Sequence, residues 1–326
     1  MRAMPIRRYR RRQRQQLSGR RRSVLFSTAY GEHPGDQLYP HMLIEDIGLR
    51  VMPLGRRWTE RDFSVELVPP SERFEGLIAD GLKPEGYEGL TEGVCDFMRE
   101  SAQIAMQYGR AIYEIVYLTD DRGDVASLEF AYVPPNSIDE EGDAFIQHVP
   151  QEISVGRELP AEIRIARRDL MIFEPPLEPA RIVRMLEALA EVSRPDLPEF
   201  VQQEMQGEAS VSYSATEGIR FQDLAVAEVS REIGWDARSG LTGKETFLEY
   251  YVVVRRLRFE RFLARFRQSL LEQLNSYLSV IGEALGENGQ LVITGMPTEA
   301  DVDAAEDHLK RGDSDFGELL APFSIA

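Results

Sequence analysis

Of the 326 residues, one is a cysteine (Cys95), three are lysines (Lys83, Lys244 and Lys310) and four are histidines. A lone cysteine excludes an internal disulfide framework and any cysteine-only metal site. No uncharged apolar run approaches the ~20 residues that a membrane-spanning helix needs. The start of the chain lacks the apolar stretch that a secretory signal places after its basic residues, although an Arg-rich, acid-poor start leaves organelle targeting open. The expectation is a soluble intracellular protein with no membrane partner. His33, His41, His148 and His308 are scattered without paired spacing, and HExxH, CxxC, the Walker lysine loop and GxSxG are all missing. The sequence therefore predicts no catalytic residue, no cofactor and no metal site, and not an enzyme. The scarcity of lysine beside 35 arginines fits codon usage better than adaptation to high salt.

Charge is plentiful but unevenly placed. Ten arginines and no acid fall in the first 22 residues: Arg2, Arg7, Arg8, Arg10, Arg11, Arg12, Arg14, Arg20, Arg21 and Arg22. The other 304 residues carry 28 basic and 55 acidic side chains, a net charge of −27. Such an arm would release counterions from a polyanion and bind nucleic acid without sequence preference, with Tyr9 alone available for stacking. It would equally dock on the acidic surface of its own or a neighbouring subunit.

Patterning divides the remainder. Residues 23–74 mix short apolar runs (Ser23 to Phe26, His41 to Ile44, Phe63 to Leu67) with Gly and Pro, and read as short strands and turns. Apolar residues at helical spacing mark a helix over 90–108, with Thr91 as its N-cap and Gly109 at its stop. A hairpin follows, Arg110 to Leu118 and Ser127 to Val133, around the Asp120–Asp124 turn. Next come an acidic turn at Asp139 to Asp143 and strands at Ala144 to Val149, Ile163 to Ile165 and Leu170 to Phe173. A helix begins near Arg181, with a further helical stretch possible over 199–205. Residues 207–219 read as a loop or exposed hairpin, Phe221 to Ile233 as a short helix, and Thr246 to Leu285 as a long one. Gln290 to Thr294 gives a strand and Asp301 to Lys310 a last helix. Strands followed by long helices predict an α+β fold. On the long helix Phe259, Phe262, Leu263, Phe266, Leu270 and Leu274 fall within ~120°, and Arg258, Arg261 and Arg265 form a row beside them. That row suits ion pairs to acidic helices better than contact with DNA.

Other polar residues carry weaker signals. Glu114 interrupts an apolar strand and is expected on a half-exposed sheet face, toward solvent or a partner. Asp139, Glu140, Glu141 and Asp143 lack the alternating spacing of a calcium loop and read as a solvated turn. Cys95 is expected to be a buried, inert thiol. His33 and His41, with Asp36 between them, read as surface-loop residues, and His308 as solvated.

The stretch LTEGVCDFMRESAQIAMQYGRAIYEIVYLTDDRGDVASLEFAYVPPNSI, residues 90–138, resembles portal proteins of tailed bacteriophages and related viruses. The likeness lies in a helix ending in glycine (Tyr108-Gly109), a strand of the form A-x-Y-E-I (Ala111, Tyr113, Glu114, Ile115), a glycine turn, and a strand leading to Pro134-Pro135. Arg168 to Phe173 is similar to the family's next strand. Phe247 to Tyr251 and the arginine-rich helix are similar to the helical part after its clip, and the terminal GMPTEADVDAAEDHLKRGDSDFGEL is compatible.

The resemblance implies a portal-like α+β architecture. Its parts would be a basic flexible arm (1–22), a wing-like domain of short strands (23–177), a helical stem or clip-like region (178–245), a long helix (246–286) and a C-terminal strand, helix and tail (287–326). It implies a structural subunit of a cyclic homo-oligomer, typically a dodecamer, at one capsid vertex of a virion assembled in the host cytoplasm. Double-stranded DNA would pass through the ring, and the major capsid protein, terminase and a tail adaptor would be partners. On this reading Arg7, Arg8, Arg10, Arg11, Arg12, Arg14, Arg20, Arg21, Arg22, Arg258, Arg261 and Arg265 would meet nucleic acid or a partner. A nucleic-acid-binding assembly or regulatory factor working through the arm is the alternative.

Overall fold

A computed structural model describes residues 21–25, 35, 37–52, 63–82, 89–193, 215–237, 247–312 and 315–323. The fold is mixed α+β, with small antiparallel sheets and one long helix. It divides into two units: Met1–Thr28, Met52–Pro175 and Arg267–Met296 form the first, and Ala29–Val51, Pro176–Phe266 and Pro297–Ala326 the second. The chain runs α1 (Leu38–Val51), β1 (Ser64–Val68), α2 (Glu72–Leu82), α3 (Leu90–Tyr108), β2 (Ala111–Thr119), β3 (Val125–Val133), β4 (Ile138–Glu141), β5 (Ala144–His148), α4 (Gln151–Gly156), β6 (Glu162–Ala166) and β7 (Leu170–Phe173). It continues through α5 (Pro179–Ser193), α6 (Ala215–Ile233), α7 (Phe247–Leu285), β8 (Gln290–Thr294), α8 (Glu299–Arg311) and α9 (Phe316–Leu320).

The first unit is organised by β2, which lies between β3 and β7 in an antiparallel sheet of order β3-β2-β7. Ala111 through Val116 are all buried, as expected of a strand covered on both faces. On one face Tyr113 packs on Phe97 of α3, ring centroids 4.7 Å apart, while Phe97 meets Phe173 edge-on at 5.4 Å. Burial of each such ring stabilises the fold by roughly 1.5–3 kcal/mol. On the other face Ile112 and Leu170 share a core with Ile138, Phe145 and Ile165 from the second sheet, β4-β5-β6. Gly109 sets the geometry of this unit. Its φ of 78° ends α3 in the left-handed conformation, turning the chain directly into β2. The hairpin turn is tied by Asp120, whose Oδ1 accepts from the backbone N–H of Arg122 (2.9 Å) and Asp124 (3.0 Å). The third sheet joins strands far apart in sequence, β1 and β8, in the register Ser64↔Thr294 to Val68↔Gln290.

Exposed strand edges need partners, and the C-terminal half of α7 supplies them through neutral side chains. Gln273 accepts from Glu174 N–H (2.8 Å) and donates to its carbonyl (3.0 Å) just beyond β7. The Tyr277 hydroxyl does the same for Ile172 within β7, at 2.9 and 3.0 Å. Asn275, between them in sequence, pairs with both backbone groups of Leu291 on β8, at 2.7 and 2.9 Å.

The second unit is helical, with α1 packed on α5 and α5 on α6. Val253 and Leu257 of α7 form a core with Val302, Ala305 and Leu309 of α8, and Leu319 and Phe323 close it. Trp235 is buried and donates from Nε1 to Asp46 of α1 at 2.9 Å. Gly234 just before it has φ 84°, and a Cβ there would stand 2.3 Å from the Arg255 carbonyl oxygen, so only glycine permits this approach of α6 to α7. Thr298 and Asp301 cap α8 reciprocally, and Gly312 ends it.

Several local expectations are corrected. His41 to Ile44 is helix, not strand. The buried positions Pro40, Leu43, Ile44, Ile47, Gly48 and Val51 recur at three to four residues, a period hidden when the run is read as four residues alone. Ser23 to Leu25 form no strand, and residues 72–74, the end of the stretch read as short strands and turns, open helix α2. Asp139 to Glu141 lie in β4, so the turn is confined to Glu141–Ala144, with Gly142 at φ 63°. Helix α6 begins at Ala215, inside the stretch read as loop or hairpin. Gly89 rather than Thr91 is the N-cap of α3.

Candidate nucleic-acid and partner interface

Arg7, Arg8, Arg10, Arg11, Arg12, Arg14 and Arg20 lie outside the described residues, as do His33, Asp36 and 199–214. The arm enters the structure at Arg21 and is held there from its first described residue. Arg21 donates from Nη2 to the Tyr132 carbonyl on β3 and from Nε to Ser23 Oγ (3.0 Å). Burial lowers the pKa of its guanidinium, against the raising effect of Glu129 and Glu114. The Arg22 side chain reaches Asp169 at 3.2 Å.

Glu114 organises this root, and here the expectation of a half-exposed face fails. Its side chain is 3 % exposed, and its carboxylate accepts from the backbone N–H of Arg22 (3.0 and 3.2 Å) and of Ser23 (2.7 Å). Glu114 shares a sheet face with Ile112, opposite Tyr113, so the strand's alternation sends it toward the incoming chain. Backbone donors replace the water that a buried carboxylate loses. Gln147, fully buried on β5, extends the hold: it accepts from Val24 N–H at 2.8 Å and donates to the Val24 carbonyl at 2.9 Å. Val24 itself packs with Val149. The interruption at Glu114 was legible as a signal; the role of Gln147 in the short run AFIQH was not.

The arginine row on α7 faces α8 and α6. Arg261 bridges Glu306 (2.6 Å) and Asp303 (2.5 Å), and the hydrogen bond to Glu306 is the largest cause raising its pKa. Arg265 meets Glu299 at 2.6 Å. Arg258 donates to the carbonyls of Ser230 (3.4 Å) and Arg231 (3.0 Å), where α6 presents its C-terminal carbonyls. Deeper in the same unit Glu260, 4 % exposed, accepts from Arg50 of α1 and from Arg256 (3.0 Å), with the Arg50 guanidinium stacked 4.6 Å from the Phe259 ring. Sequence periodicity placed Arg258, Arg261 and Arg265 together, but contained no sign of Glu260 as a buried acceptor.

The remaining candidates stay apart. Cys95 is buried, and desolvation pushes its thiol up to about 12, which suppresses the thiolate. His148 hydrogen-bonds Asp139 at 2.9 Å, and its other ring nitrogen lies 3.7 Å from Glu162. Glu140 and Glu141 pair with Arg167 and Arg164. His308 is exposed on α8, and His41 lies on α1. Among the described residues no group of three or more His, Cys, Asp or Glu side chains is arranged to hold a metal ion, and no helix is long and apolar enough to cross a membrane. No family model matches the chain, and no curated protein matches it.

Proposed function

We propose that this chain is a structural subunit of a portal-type ring that stands at a capsid vertex, passes double-stranded DNA and attaches a tail adaptor. One observation carries this reading: the segments that bear the resemblance follow one another as helix, glycine stop, hairpin, third strand and long helix. Helix α3 ends at left-handed Gly109, β2 and β3 form the hairpin, β7 joins β2, and α7 runs for 39 residues. The charge distribution is consistent with it. A body of net charge −27 repels phosphate, as a conduit for sliding DNA requires, and a chain with separate basic and acidic regions suits the head-to-tail contacts of a ring. Capsid protein and terminase are the further partners of this reading, and the virion its location.

Mass photometry and negative-stain imaging at physiological ionic strength test it. The expected result is a large cyclic particle with a central opening. Monomers or dimers alone, across the accessible concentration range, overturn the reading. Removal of residues 1–22 separates the arm's role from the body's: loss of DNA binding with no ring at all would favour a nucleic-acid-binding factor instead.

A further inference from the structure

The first unit holds four residues of its own chain as a receptor holds a peptide. Residues Arg21 to Val24 are gripped mainly by their backbone: Glu114 on β2 accepts from the N–H of Arg22 (3.0 and 3.2 Å) and of Ser23 (2.7 Å), and Gln147 on β5 pairs with both backbone groups of Val24 (2.8 and 2.9 Å). Gln147 also donates to Ser137 Oγ at 3.3 Å, and Ser137 donates on to the Pro134 carbonyl at 2.7 Å. The body therefore orients this amide independently of the segment it holds. Side chains are read at two positions. Val24 enters an apolar pocket of Val149, Ile153, Leu159 and Ile163, and the Arg21 guanidinium donates to the Tyr132 carbonyl on β3. Arg22 turns outward to Asp169, and Leu25 is half exposed.

Main-chain bonds that give affinity, with pockets for a few side chains that give selectivity, are how extended peptides are recognised. Without its segment, this seat would present a carboxylate and an amide lacking their backbone partners, beside apolar walls open to water. Water can restore hydrogen bonds to Glu114 and Gln147 but cannot fill the Val24 pocket, whereas another extended chain does both. We infer that the seat is a peptide-binding site with residues 21–24 as its resident ligand. In their place it takes an extended segment of a second polypeptide that carries arginine three residues ahead of a β-branched aliphatic residue. Arg-x-Ser-Val occurs once in this chain, so a second copy matches the resident's sequence only with the same four residues. Two segments cannot share the seat, so an incoming peptide unfastens the root of the basic arm. The inference stands apart from the ring reading, because one folded chain suffices for it.

Fluorescence anisotropy with a labelled synthetic peptide of residues 18–26 tests this on full-length chains. Val24→Asp spoils the resident's fit to the apolar pocket, and Arg21→Ala removes its bond to Tyr132; circular dichroism checks that each chain is folded. Both are expected to bind the peptide about tenfold or more tighter than the unaltered chain, whose resident segment competes from within at high effective concentration. If Val24→Asp is unfolded, Arg21→Ala carries the comparison. N-methylation of the peptide at Ser23, which removes the N–H donated to Glu114, and Val24→Asp within the peptide should each weaken binding by about tenfold or more. No binding to any of the three chains at about 1 mM peptide overturns the inference. Equal binding by altered and unaltered chains places the peptide outside the seat and overturns it as well. So does equal binding of the native, N-methylated and scrambled peptides, which assigns the affinity to attraction between a basic peptide and an acidic body. Particle size enters none of these readouts, so the ring reading can fail while the inference stands, and the reverse.

Discussion

The two halves of α7 hold their neighbours by different chemistry. Residues 247–266 belong to the second unit and work through charge: Arg256 and Arg50 on buried Glu260, Arg261 on Asp303 and Glu306, Arg265 on Glu299. Residues 267–285 belong to the first unit, and there Gln273, Asn275 and Tyr277 hold the strands through neutral groups, each pairing with both backbone groups of one residue. The difference follows from what each half faces. The neighbour α8 presents carboxylates, which arginine satisfies with geometric precision. The edges of β7 and β8 present alternating N–H and C=O groups, which only a side chain able both to donate and to accept can satisfy; Asn, Gln and Tyr do this, and Arg does not. The same device recurs at the arm root, where Gln147 pairs with both groups of Val24.

The largest test of this contrast is Glu260→Ala. Truncation leaves Arg50, with its side chain 19 % exposed, without its carboxylate, and breaking a buried pair of this kind costs about 3–5 kcal/mol. Urea unfolding followed by circular dichroism should show that loss, and hydrogen exchange should localise it to α1 and the first half of α7. A loss below about 1 kcal/mol would mean that the pair is hydrated and that charge does not hold this unit.

Next in size is Asn275→Ala, which leaves both backbone groups of Leu291 without their side-chain partner. With two bonds at ~0.5–1.5 kcal/mol each, part of it regained by water at a half-buried site, the expected loss is about 1–2 kcal/mol. It should be nearly independent of salt, since neither partner is charged. Asn275→Asp keeps the acceptor for Leu291 N–H but loses the donor to its carbonyl, and should fall between the alanine variant and the parent.

These outcomes bear on what a reader of the sequence could and could not see. Elements with long, regular patterns were legible: α3, β2, β3, β7 and α7 lie within one or two residues of their expected bounds, because 9 to 39 residues of consistent periodicity or a sharp Gly or Pro boundary fix each one. Helix α1 was not, since its stripe of apolar residues emerges only over a window longer than the run His41 to Ile44. The pairing of β1 with β8 was invisible for a different reason: it joins residues more than 200 positions apart, and nothing local encodes it. At the arm root the unusual residue, Glu114, was visible and its burial was not, because the donors that make burial tolerable come from Arg22 and Ser23, some 90 residues away. The arginine row was legible as a row. Its partners were legible only as an acidic helix.

Arg261→Ala comes third. Two carboxylates share this guanidinium, whose side chain is 27 % exposed, so the loss should reach about 1 kcal/mol at low salt. Arg265→Ala should be the smallest effect, yet it discriminates most sharply. Among the described residues it pairs with Glu299, and both side chains are well exposed, at 56 % and 41 %. Exposed pairs are worth about 0.2–1 kcal/mol at most, and at 1 M salt the screening length contracts to about 3 Å. The stability difference between parent and Arg265→Ala should therefore be a few tenths of a kcal/mol in dilute buffer and vanish in 1 M sodium chloride, while the Asn275→Ala difference persists. Urea is the denaturant for this comparison, because guanidinium chloride would itself screen the pair. If the Arg265 difference survives in salt, its contribution comes from the packing of its methylene stem rather than its charge. The row would then contribute to the α7–α8 contact as apolar cover capped by charge, and the contrast between the two halves would narrow to Glu260 and Arg261.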